Sequence, residues 1–123
     1  MLAHGPLPAM TSNLTIDGGT YGDIVINGNN LYRAFFVDIG TVTLTNLKIQ
    51  NALAQGGAGG SGYPMAGGGG LGAGAGLFVN QASAVVTVAN VYFLNTTAAG
   101  GAGGTGIGYS ESGGGGSGVW VQM

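Results

Sequence analysis

The chain has 123 residues, a length that suits one domain and not two. Only 5% of them are charged and the net charge is −2, so there is no electrostatic footprint for nucleic acid or an anionic membrane surface. With no cysteine and one histidine, disulfides and Cys-based zinc, haem or iron-sulfur sites are excluded, and His4 alone makes no metal site.

Residues 1–12 read as an irregular N-terminal segment in which His4 is solvated. The opening MLAHGPLPAM lacks the basic n-region and apolar h-region of a signal peptide, and no later apolar run approaches the ~18 residues of a spanning helix. No direct membrane insertion is expected of this segment.

From residue 13 onward, short apolar pieces end in Asn, Asp, Gln or Thr, which are turn residues. NLTIDG and DIVINGN read as a first, less regular rung with Leu14, Ile16, Ile24 and Ile26 inward; Asp17 and Asp23 read as turn residues. FFVD from Phe35 and VTLTNLKIQN from Val42 follow, with Phe35, Val37, Val42, Leu44, Leu47 and Ile49 on one parity. Arg33 and Lys48 read as solvated charges that discourage aggregation.

LFVN from Leu77, VVTVAN and VYFLNT then repeat the pattern, with Leu77, Val79, Val86, Val88, Val91 and Phe93 inward and Phe78, Thr87, Tyr92 and Leu94 outward. VTLTNLKIQNALAQGGAGGSG and VTVANVYFLNTTAAGGAGGTG stand 44 residues apart, while FFVD, LFVN and VWVQ recur at 42. Repeats this short, β-branched and broken by Asn and Gly disfavour helix. They predict an all-β chain, a parallel β-helix (solenoid) of about three rungs in which like residues stack, with Asn46 and Asn90 at one corner.

Of 29 glycines, 12 fall between Gly56 and Gly76 and 11 between Gly100 and Gly118. These glycine-rich loops, about 55–76 and 99–118, are expected to leave the rung and return with partial order. Tyr63, Met65, Leu71, Ile107 and Tyr109 are the expected anchors.

No catalytic, cofactor or metal residues are expected. GGAGGSG lacks the strand-to-helix context and the Lys and Ser/Thr of a phosphate loop, and the first glycine block has no acid for a calcium repeat. A Ser-His-Asp triad would have to use His4. One outward feature is left: Phe36, Phe78 and Trp120 in one column beside Asp38, Asn80 and Gln122, a contact surface for a glycan or protein unless the glycine loops cover it. Thr41, Thr43, Thr45 and Thr87 form an incomplete threonine array, broken at Ala84 and Ala89, which keeps ice binding a minor alternative.

The run LTIDG, FFV, VTLTNLKIQNALAQGGAGGSG, GGGGLGAGAGLFVN, VTVANVYFLNTTAAGGAGG resembles the glycine-rich right-handed parallel β-helix repeats of bacterial surface proteins, especially autotransporter passengers and adhesin-like domains of the pectin-lyase-like fold. The resemblance covers residues 13–123 and implies a non-catalytic structural or adhesive module, extracellular or on the bacterial outer-membrane surface, facing a host-surface protein or glycan. It also implies a longer parent chain with a signal peptide and a membrane barrel, of which this is a piece. The alternative it leaves open is a fragment of a carbohydrate-active β-helix with its catalytic rungs elsewhere; bare rung edges add end-to-end or edge self-association.

Overall fold

β-Branched and aromatic residues at alternate positions make strands, and the described chain is all-β with no helix. The computed structural model describes residues 4–20, 24–63, 65–106, 114–116 and 118–119. Its strands are β1 (Leu14–Asp17), β2 (Val25–Asn27), β3 (Phe35–Val37), β4 (Thr41–Gln50), β5 (Leu53–Gln55), β6 (Gly72–Ala73), β7 (Leu77–Val79), β8 (Val85–Leu94), β9 (Thr97–Ala99) and β10 (Gly118–Val119). The chain falls into two units: Met1–Leu53 with Ala75–Thr97, and Ala54–Gly74 with Ala98–Met123.

In the first unit β4 is central. β1 and β2 pair with its two halves on one side, β8 runs along the other, and every pairing is parallel. Thr41 faces Val85 and Gln50 faces Leu94, the 44-residue offset of the repeat. β3 lies on β7 with Phe35 opposite Leu77, and Met10 bridges Val37 from the far side. That offset is 42 because the connection from β3 to β4 is two residues shorter than the one from β7 to β8.

The two ten-residue strands bend at asparagine. Asn46 and Asn90 have φ of 54° and 52°, and Asn51 and Asn95, just past the strand ends, both have 52°. Asparagine tolerates this left-handed region better than other side chains that carry a Cβ. Its amide then bonds along the stack: Asn90 Nδ2 donates to Asn46 Oδ1 at 2.7 Å, and Asn46 Nδ2 to Asp17 Oδ1 at 2.8 Å. Asn46→Ala is expected to cost about 2 kcal/mol in urea unfolding, combining backbone strain with a broken ladder. Asn46→Gly, which relieves the strain and still loses the ladder, is expected to cost about 1 kcal/mol; equal losses would refute the strain component.

The core is the middle layer. Phe35, Val37, Val42, Leu44, Leu47 and Ile49 are all at most 1% exposed, in agreement with the parity of the repeat. Their partners Leu77, Val86, Val88, Val91 and Phe93 are only half-buried, and Val79 is exposed. Leu14 and Ile24, expected inward, are also exposed. Both departures have one cause: among the described residues β1, β2, β7 and β8 each have a strand on one side only, and a layer is sealed by neighbours above and below.

In the second unit the glycine blocks are ordered by backbone contact. Gly56, Gly59 and Gly62 donate their N–H groups to the carbonyls of Ala99, Ala102 and Thr105. Gly101 and Gly104 donate to Gly70 and Gly67, and Gly70 and Gly67 donate to Gly57 and Gly60. Segment 54–62 thus gives to 98–106, which gives to 67–74, which gives back to 54–62, in a closed ring repeated every three residues. A fourth piece joins through Gly69 N–H to Gly114 O and Gly116 N–H to Gly101 O.

A three-residue period with bonds only between segments is the arrangement of polyproline-II-like chains, which have no internal hydrogen bonds. Of the described glycines in these blocks only Gly74 has positive φ, so the composition answers a need for space, not for unusual backbone angles. A Cβ on Gly101 would lie 1.9 Å from the Gly57 carbonyl oxygen, and one on Gly56 would lie 2.0 Å from that of Gly70. Among the expected anchors, Tyr63, Met65 and Leu71 are exposed, a correction to the sequence reading. Ile107 and Tyr109 lie outside the described residues.

Candidate aromatic contact surface

The outward residues of β3 and β7 meet where the 42-residue offset puts them. Phe36 stacks on Phe78 with ring centroids 5.4 Å apart and planes 24° from parallel. Strand alternation alone places both rings on the outer side, since Phe35 and Val37 are buried.

Arg33 is the residue that the sequence reading missed. It was expected to be a solvated charge, but its guanidinium carbon sits 4.9 Å from the Phe78 ring centre and 5.6 Å from that of Phe36. Burial against the rings pulls its pKa down from the usual arginine value, yet a guanidinium remains cationic at neutral pH. The chain approaches through Asn29 and Asn30, both at positive φ, and through Ala34 N–H bonded to Ala75 O. These turn contacts, not strand parity, carry Arg33 across the ring pair.

Polar groups flank the aromatic column. Asp38 Oδ1 accepts from Asn80 Nδ2 at 2.7 Å and from Gln81 Nε2 at 3.3 Å. Asp38 and Asn80 therefore stand together as the repeat predicts, and Gln81 joins them unanticipated. On the other side a cleft of about 240 Å³ is lined by Pro6, Leu7, Ala9, Arg33, Ala34 and Phe36, so the irregular N-terminal segment forms part of its wall.

Trp120 and Gln122, the third members of the two columns, lie outside the described residues. Val119 pairs with Ala73 and not with Leu77, so the 42-residue offset is not continued at the third copy. Asp17 does hold a turn, accepting from Gly19 N–H at 2.8 Å, and its two bonds depress its pKa, the Asn46 amide first and the Gly19 amide second. Asp23 lies outside the described residues. Thr15, Thr43 and Thr87 share one row across β1, β4 and β8, but Val85 and Ala89 interrupt the rows on either side.

Among the described residues no three His, Cys, Asp or Glu side chains gather as metal ligands, and no helix is long and apolar enough to cross a membrane. What the surface offers is a cation held against two stacked rings, with amide and carboxylate groups beside them. Such a face suits the apolar side of a sugar ring or an aromatic or acidic side chain. Comparison of the chain with protein families, curated proteins and solved structures found no match.

Proposed function

We propose that the first unit is a three-rung stretch of a right-handed parallel β-helix, and that the chain serves as a non-catalytic structural and adhesive module of a surface-exposed or secreted bacterial protein. The observation that carries this reading is the unbroken 44-residue register of β4 on β8, with bend asparagines bonded one above the other. A register set by the repeat length makes each rung a template for the next, and stacked templates make a stiff rod that holds contact groups away from their anchor. Segment-resolved amide exchange tests it: the reading expects slow exchange throughout Val42–Ile49, and uniformly fast exchange there would end it.

The adhesive part rests on Arg33, Phe36 and Phe78, with Asp38, Asn80 and Gln81 supplying directional hydrogen bonds. A glycan is the favoured ligand, because stacked rings beside amides match a sugar's apolar face and hydroxyl edge. Phe78→Ala is expected to reduce glycan-array binding by about tenfold, the effect of losing one aromatic contact of roughly 1.4 kcal/mol. An array on which the parent chain binds nothing, or on which the variant binds equally well, would withdraw the surface from this role.

A further inference from the structure

The hydrogen bonds along the bends run one way, and this gives the two ends of the first unit different chemistry. The inference drawn from it rests on the stacked-rung reading above.

At the first bend the ladder starts on Asp17, which only accepts: its Oδ1 takes the amides of Asn46 and Gly19. It ends on Asn90, whose amide is spent on Asn46 and whose Oδ1 meets no donor among the described residues. Among the described residues β8 also has a strand on one side only, and its inward residues Val86, Val88, Val91 and Phe93 are half-buried where their β4 partners are sealed. An unpaired strand edge, an uncovered apolar floor and an unanswered carbonyl oxygen therefore coincide on one side of the unit.

We infer that the β8 edge is a docking surface for one further parallel rung that carries a side-chain amide donor at its bend, and that Asp17 is the residue that denies this place to a second copy of the chain. If the β1–β2 side of a second copy were laid on β8, it would bring Asn27 to the second bend, where an amide is available. At the first bend it would bring the Asp17 carboxylate against Asn90 Oδ1. Two acceptors would face each other with no proton between them, one of them charged, so the first bend would gain no hydrogen bond and set a charge against a carbonyl oxygen, which offsets the one good pairing at the second. Asp17 is ionised at neutral pH as any ordinary aspartate is, and its two donors lower its pKa further.

The molecule itself shows that an asparagine fits where Asp17 stands. Asn27 performs the same two tasks at the other bend, accepting from Asn29 N–H at 2.9 Å and from Asn51 Nδ2 at 3.3 Å. Asp17→Asn thus leaves the turn and the ladder start intact and supplies the missing donor.

Sedimentation velocity of the full chain over a wide concentration range tests the inference. The parent chain is expected to sediment as a monomer. Asp17→Asn is expected to self-associate at a concentration lower by at least roughly tenfold, the effect of replacing one mismatch by one hydrogen bond. Asn90→Gly, which keeps the backbone at positive φ and removes the carbonyl, is expected to return Asp17→Asn to the monomer. Equal sedimentation of the parent and Asp17→Asn chains overturns the inference, as does association of Asp17→Asn that survives Asn90→Gly. Amide exchange on the Asp17→Asn sample separates the two readings: protected Val42–Ile49 with no association rejects the docking chemistry alone, and loss of that protection rejects the stacked rungs with it.

Discussion

Replacing Gly101 by alanine is expected to abolish amide protection across the glycine segments and to cost about 3 kcal/mol or more in their unfolding. The added methyl would sit 1.9 Å from Gly57 O and 2.5 Å from Gly57 C, and both are backbone atoms. No rotamer can relieve that contact, so segment 98–106 has to move from 54–62. Its own bonds from Gly101 N–H to Gly70 O and from Gly116 N–H to Gly101 O are then lost. Two hydrogen bonds at about 1 kcal/mol each, together with overpacking of about 1–3 kcal/mol, give the expected loss.

Gly57 provides the control on the other side of the same contact. A Cβ there meets nothing within 4 Å. Gly57→Ala is therefore expected to be neutral or to stabilise by about 0.5 kcal/mol, through the smaller freedom of the unfolded chain. Hydrogen exchange of Gly56, Gly59 and Gly104 in the two variants reads the difference. Similar protection in both would mean that the segments are not held together as described.

The second large effect lies in the middle layer of the other unit. Leu44→Ala is expected to cost about 3 kcal/mol, since Leu44 is 0% exposed with layers on both sides and the cavity it leaves has no route to solvent. The sharper comparison uses one residue type twice. Val42 and Val86 are register partners, one sealed and the other half-buried. Val42→Ala is expected to cost about 2 kcal/mol and Val86→Ala about half that, measured as urea midpoints at constant slope. Equal costs would mean that the layer over β8 is as closed as the one over β4.

Much of the first unit is legible in the amino-acid sequence because its information is carried by side chains. Val42 and Val86, Thr43 and Thr87, and Asn46 and Asn90 repeat at a fixed distance, and parallel pairing turns that distance into register. Asparagine at a bend is likewise a local property of one side chain. Arg33 escaped because its position depends on a turn, and nothing in strand alternation says where a turn will carry a long side chain.

The glycine segments escaped for the opposite reason. A residue without a side chain offers no apolar pattern, and the runs read as partly ordered loops held by a few large anchors, with nothing to give the pairing between segments. Yet a signal is present in what interrupts them. Ala58 and Ser61, and Ala102 and Thr105, stand three apart in GGAGGSG and GGAGGTG, and all four are exposed. Every third position tolerates a side chain because it is open to solvent, even where, as at Ser61, the hydroxyl accepts from Thr105 N–H of the adjacent segment, and this is the three-residue period written in negative.

That period has a consequence for how the molecule will look to spectroscopy. Polyproline-II-like backbone is also a major conformation of unfolded chains, so circular dichroism of the glycine segments will carry the signature usually taken to mean disorder. Heating or urea will change that part of the spectrum little, even while the ring of amide bonds is coming apart. An instrument that reports backbone angles will therefore underestimate how much of this protein is folded, and one that counts protected amides will not.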